Sequence, residues 1–141
     1  MLIEIRNKLL RKKCNYDIAD LKSQHSLNLP LLNNGQKIIY DSVVVAVLQK
    51  KQSLIFVHGH GGTGKTFLWH TIINRIRYEG LVVLVVASSG IASLLLPGSR
   101  TTHSRFKIPL TVDELSTCAI KKNTHLSSLL EITSLIVGMK R

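Results

Sequence analysis

The feature that most constrains this chain is the octapeptide Gly59-His60-Gly61-Gly62-Thr63-Gly64-Lys65-Thr66, which fits G-x-x-x-x-G-K-[ST] at every fixed position. Its glycines let the backbone wrap an anion without Cβ obstruction. Successive N–H groups then converge on that anion, and the positive end of the following helix adds to them. Lys65 is spaced to reach β- and γ-phosphates, and the Thr66 hydroxyl to ligate Mg²⁺. A plain glycine turn needs no Gly-Lys-Thr at a helix start. The motif therefore points to a nucleoside triphosphate with magnesium, held by Gly59, Gly61, Gly62, Thr63, Gly64, Lys65 and Thr66, with Lys65 and Thr66 also the catalytic candidates.

The flanks strengthen this reading. Ser53 to Val57 is an apolar run that predicts a short buried strand before the loop. After the loop, Leu68, Ile72 and Ile76 recur every four residues, which predicts a helix over 65–79 with Gly80 as its cap. Leu81 to Ala87 reads as a second buried strand. Strand, glycine loop, helix and strand make a βαβ unit and hence a parallel sheet. The expected class is α/β. Before the loop, Ile39, Val43 and Val47 mark a helix over 34–48, although its valines also suit a strand. The stretch from Cys14 to Leu29 lacks clear periodicity and reads as a linker, with Pro30 as a boundary. Met1 to Lys13 has helical spacing at Leu2, Ile5, Leu9 and Leu10. It is an ordinary surface helix or a weak organellar targeting helix. After the second strand a short helix is expected over 89–96, then a polar loop, a weakly helical segment near 126–131 and a third strand over 134–137. The domains expected are 1–31, a basic helix and linker, and 32–141.

Lys and Arg total 19 against 8 Asp and Glu, a formal charge of +11. Such an excess favours a polyanionic partner, because each neutralised phosphate releases counterions. A basic surface can also simply keep a chain soluble. The two cysteines, Cys14 and Cys118, are far apart, which argues against a disulfide framework or a zinc site. No apolar run approaches the roughly 20 residues that span a bilayer, so no membrane partner is expected. His58 and His60 flank the loop without a third ligand of suitable spacing. Packing or exposure accounts for them better than a metal does. Trp69 suits a core position better than a base-stacking one.

The sequences VHGHGGTGKTFLW and LVVLVVASSGIASLLLPGSRTTHSRFKIPL together resemble the Pif-type (petite integration frequency) ATP-dependent DNA helicases of superfamily 1, especially the plant helicase-like group. The likeness runs from about Leu32 to Val137. It implies a RecA-like P-loop domain, ATP and Mg²⁺ as cofactors, and Gln36 as the residue that reads adenine. An amide suits that edge because it both donates and accepts. Read without the likeness, Gln36 is an exposed glutamine at a helix start. The resemblance further implies single-stranded DNA contacts from Ser88, Ser89 and Gly90, and from His103, Ser104 and Phe106. Taken alone, His103 suits a satisfied loop histidine and Phe106 a core anchor. The family role implied is 5′ to 3′ unwinding by a monomer in the nucleus or mitochondrion, serving DNA repair, recombination and telomere maintenance.

Three departures stand out. His60 replaces the family's usual loop proline, and Ser93 a usual alanine. After Thr133-Ser134-Leu135-Ile136-Val137, where the family carries an Asp-Glu pair, this sequence reads Gly138-Met139-Lys140-Arg141. The expectation is a truncated helicase core, inactive by itself. The rival readings are a non-catalytic nucleotide- or DNA-binding remnant and another P-loop enzyme, such as a small-molecule kinase.

Overall fold

A computed structural model describes residues 16–140 of the chain. The expected helix over Met1 to Lys13 and the residue Cys14 lie outside the described residues. Two compact units are present, Cys14–Val83 and a second whose described part is residues 84–140.

The first unit is helical. Helix α1, Ile18–Asn28, starts where the Asp17 side chain accepts from the Asp20 backbone N–H. This corrects the linker expectation for 14–29. The helix was hidden because its buried face is carried by Leu21 and His25, and a histidine adds nothing to apolar periodicity. A short 3₁₀ turn, Leu29–Leu31, follows with Pro30 inside it. Helix α2, Asn34–Leu48, opens with a reciprocal capping box between Asn33 and Gln36, and buries Tyr40, Val43 and Val44. Helix α3, Lys65–Tyr78, is the helix expected after the glycine loop. Gly80, at φ 79°, takes the left-handed turn beyond its end.

Both α1 and α2 pack on α3. Leu68, Ile72 and Ile76 of α3 are almost wholly buried. Asn74 Nδ2 donates to Gln24 Oε1 at 3.4 Å, joining α3 to α1. His25 Nε2 lies 2.6 Å from the Tyr40 hydroxyl, joining α1 to α2. The His25 ring also stands edge-to-face with Tyr78, at 5.3 Å between centroids, and the Arg75 guanidinium lies over the same Tyr78 ring, 4.8 Å from its centroid.

The expected strand over 53–57 is corrected. Residues 51–60 carry no regular structure, and Leu54 and Phe56 are more than four-fifths exposed. An apolar run becomes a strand only where a neighbour completes its backbone hydrogen bonds, and among the described residues no strand pairs with this one.

That sheet has three strands, in the order β2-β1-β3. Strand β1, Val82–Ala87, is buried at every position, as a central strand must be. Strand β2, Arg100–Thr101, runs parallel to it, with Val86 opposite Arg100 and Ala87 opposite Thr101. Strand β3 is Thr133–Met139, two residues longer than expected at its C-terminal end. The Ser88 N–H donates to Met139 O at 3.0 Å. That bond joins the carboxyl ends of β1 and β3, as parallel alignment requires. The sheet is therefore parallel and the class α/β, as expected.

The helix expected over 89–96 shrinks to one 3₁₀ turn, Ala92–Leu94. Gly90, and Pro97 and Gly98 beyond it, leave too little helix-forming sequence for more turns. The expected polar loop contains helix α4, Thr102–Phe106, which Thr101 caps by accepting from the Ser104 N–H. Helix α5, His125–Ile132, begins with a second capping box, Thr124 with Ser127.

Candidate nucleotide-binding site

The glycine loop joins residues 51–58 to α3. Gly64 is the residue before the helix, at φ 77° and ψ 21°. A Cβ on Gly64 would stand 2.6 Å from Gln36 Nε2. Two separate causes, the left-handed backbone and the close amide, thus demand glycine there. Gly62 is also left-handed, at φ 80°. Thr63 braces the bend by donating its hydroxyl to His60 O at 2.9 Å.

Lys65 turns back over the loop. Its ammonium donates to the carbonyls of Gly59 and His60, the latter at 2.8 Å, and reaches Thr63 Oγ1 at 3.5 Å. The charge that would meet phosphate is thus already held against the loop, on neutral acceptors that an anion can replace. Thr66 is half-buried in the first turn of α3.

Gln36, distant in sequence, is brought to the loop by the fold. Its Nε2 donates to Thr63 O at 3.2 Å and to Gly64 O at 3.4 Å. Its Oε1 accepts from the Asn33 N–H at 3.0 Å. Both ends of the amide are therefore engaged, and the residue is half-buried.

The loop fits a triphosphate: two glycines are left-handed, no Cβ lines Gly61 or Gly62, and a lysine folds over the turn. Thr66 can supply one hydroxyl ligand to magnesium, which commonly keeps several waters and phosphate oxygens. No group of three His, Cys, Asp or Glu able to hold a metal is present among the described residues. The rings of His58 and His60 lie 6.4 Å apart, and both residues are exposed. Trp69 is half-buried rather than fully in the core.

The residues expected at DNA lie in the second unit, past the carboxyl ends of β1 and β2. Ser88 and Gly90 are exposed, and Ser89 Oγ accepts from the Ala92 N–H at 3.2 Å, shaping the 3₁₀ turn. His103 and Ser104 are exposed on α4, and Phe106 is half-buried. The Thr102 hydroxyl donates to Ala87 O at 3.0 Å and pins α4 to the end of β1. Between Ser104 and Phe106, Arg105 is buried. Its burial was not legible, because nothing in the local pattern separates a buried arginine from an exposed one. Asp113 and Glu114, two adjacent acids, are exposed. Hydrogen bonding by the Ser116 hydroxyl holds the Asp113 carboxyl below its ordinary value.

A lysine-bearing glycine loop at a helix start, followed by a parallel strand, defines an α/β P-loop domain. Residues 31–139, most of the chain, match the family model described as PIF1-like helicase. The chain belongs to the PIF1-like helicase family. Three relatives come from Trypanosoma brucei brucei (strain 927/4 GUTat10.1). "ATP-dependent DNA helicase PIF4" is 34% identical over 87 residues, which are 59% of this chain and 10% of that protein. "ATP-dependent DNA helicase PIF1" is 37% identical over 57 residues, 40% of this chain and 6% of that protein. "ATP-dependent DNA helicase PIF3" is 38% identical over 60 residues, 43% and 7% respectively. The matched segments span a tenth or less of these curated relatives.

Proposed function

We propose that this chain is the nucleotide-binding part of an ATP-dependent DNA helicase that uses Mg-ATP and acts on single-stranded DNA. The observation that carries the reading is the loop itself: Gly62 and Gly64 left-handed, Lys65 folded over the turn, and Gln36 bonded to its last two carbonyls. On nucleotide entry the Lys65 ammonium exchanges the Gly59 and His60 carbonyls for phosphate oxygens. The loop N–H groups take the remaining charge, and Thr66 offers its hydroxyl to magnesium. That metal, when bound, neutralises charge developing on the phosphates. Gln36 lies beside the loop, where its amide is available to adenine if it leaves one of its present partners. Ser88 to Gly90 and His103, Ser104 and Phe106 contact the DNA strand. The finer role follows the family likeness: 5′ to 3′ unwinding by a monomer in the nucleus or mitochondrion, in repair, recombination and telomere maintenance.

A second reading, nucleotide binding without turnover, draws on the acids. Gly138 and Met139 follow Val137 in β3, at the place where the family likeness implies a carboxylate pair.

Titration calorimetry with Mg-ATP tests the first reading. Lys65→Ala loses a charge-assisted contact of about 1.5–3 kcal/mol, or roughly tenfold to a hundredfold in affinity. Equal binding by both proteins defeats it.

A further inference from the structure

Helix α4 holds an arginine that nothing among the described residues satisfies. Arg105 is only 6% exposed, and neither its Nε nor its Nη2 has a hydrogen-bond partner. The Ser99 hydroxyl is likewise buried and unpartnered. Burial first, and then the neighbouring charge of Arg100, push the Arg105 guanidinium below its ordinary value. A guanidinium keeps its proton in proteins, so the charge stays and its desolvation is uncompensated.

Among the described residues of the same unit, no acid answers it. Asp113 accepts from the Ser116 hydroxyl at 2.7 Å and from the Leu115 N–H at 3.0 Å, in an exposed turn. Glu114 and Glu131 are exposed. Among the described residues the one ion pair is Arg75 with Glu79, in the other unit.

The backbone around Arg105 is well anchored. Arg100 and Thr101 pair with Val86 and Ala87 in the sheet. Thr102 is bonded to Ala87 O, and Thr101 caps the helix. The arginine therefore follows the carboxyl ends of parallel strands, the end at which open α/β sheets take ligands.

We propose that Arg105, with Arg100 and the Ser99 hydroxyl, receives one phosphate group, and that this group belongs to the backbone of a DNA strand. The inference rests on the reading that the chain binds single-stranded DNA. Two neighbouring cations and a free hydroxyl form a donor set for an oxyanion with several acceptor oxygens. A phosphate between the two arginines turns their repulsion into attraction. The polymer is favoured over the nucleotide as its source because the glycine loop already cradles nucleotide phosphates, and because a charge of +11 suits a polyanion. Both orphaned nitrogens are shielded, so uptake includes turning the side chain or opening the Pro97–Gly98 turn that precedes Ser99. The uncompensated burial lowers the cost of that movement.

The test uses the 141-residue chain, fluorescent oligo(dT) in a salt series, a parallel Mg-ATP titration, and thermal melting. Arg105→Met is expected to melt at or above the wild-type temperature, because an apolar side chain replaces an unpaired charge. It should bind oligo(dT) about tenfold to a hundredfold more weakly. Its log–log salt slope should be shallower by about 0.7, one phosphate contact on a single strand. Its Mg-ATP affinity should not change. Arg105→Lys keeps the charge and loses the fork, so it should keep the slope and bind more weakly than wild type. Wild-type affinity and slope in Arg105→Met overturn the proposal. If that variant does not fold, wild-type affinity in Arg105→Lys overturns it instead. Loss of Mg-ATP binding with oligo(dT) binding intact overturns the DNA source and assigns the phosphate to the nucleotide. No oligo(dT) binding by the wild type overturns the underlying DNA reading and the proposal with it.

Discussion

The Gln36 side-chain amide donates to the carbonyls of both Thr63 and Gly64, across 27 and 28 residues of sequence. This ties the first turn of α2 to the last turn of the phosphate loop. The same side chain accepts from the Asn33 N–H, the return half of the capping box. A glutamine that the family likeness assigns to adenine is thus, in this structure, also a brace of the loop.

Gln36→Ala removes the brace and the side-chain half of the capping box, while Asn33 still accepts from the backbone N–H of residue 36. Each lost neutral hydrogen bond is worth about 0.5–1.5 kcal/mol, so the melting temperature should fall. If the amide also reads the base, the preference for ATP over GTP should shrink in the same variant. Comparing both nucleotides by calorimetry separates the roles: lower stability with an unchanged preference leaves only the brace.

Gly64→Ala should harm the loop more than any other single glycine change in it. The left-handed backbone costs a Cβ-bearing residue about 1–2 kcal/mol, and the added carbon must also displace the Gln36 amide from 2.6 Å. Gly61 has open space around a built Cβ and an ordinary φ, so Gly61→Ala is the control. Mg-ATP binding that survives equally in both variants would mean that the loop conformation described here is not the one that binds.

His25 makes the first unit sensitive to acid. Burial first, and the Arg75 charge second, lower its pKa below the ordinary 6.5. Lys22 also faces the cluster, 5.7 Å from the Tyr78 ring centroid. Burial pushes Tyr40 up to about 12, so its hydroxyl keeps the proton that it donates to neutral His25. A base with a depressed folded pKa is fully stabilising above its unfolded value, and that stability is lost as pH falls through the folded value. Melting temperature should therefore hold above about pH 6.5 and decline below it. His25→Gln should flatten the decline, although it lowers stability at every pH. An equal decline in the variant would transfer the effect to other groups.

The 141-residue chain should bind Mg-ATP yet turn it over slowly, with or without oligo(dT). Phosphoryl transfer needs a phosphate cradle, a held metal and a group that orients water. The cradle and one hydroxyl ligand are present at Gly59 to Thr66. The adjacent acids Asp113 and Glu114 are exposed in a turn, where neither follows a strand. A steady-state phosphate-release assay decides this. Turnover at about 1–100 s⁻¹, the range usual for phosphoryl transfer by kinases, would show that another acid completes the site.

The sequence by itself determined the local features whose causes are local. The glycine loop, helices α2 and α3, the Gly80 cap and the strand β1 all follow from spacing, capping residues and β-branched runs within about 15 residues. Only the tertiary structure decided three others. Leu54 and Phe56 read as a buried strand, but burial depends on a pairing partner elsewhere in the chain. Residues 18–28 read as a linker, because a core histidine that bonds to Tyr40 looks polar in a list of residues. Nothing in the sequence set Arg105 apart from the other cations, because the absence of an acid around a side chain is a fact about three-dimensional neighbours. Periodicity records what a residue is, whereas burial and unmet hydrogen bonds depend on what stands opposite it.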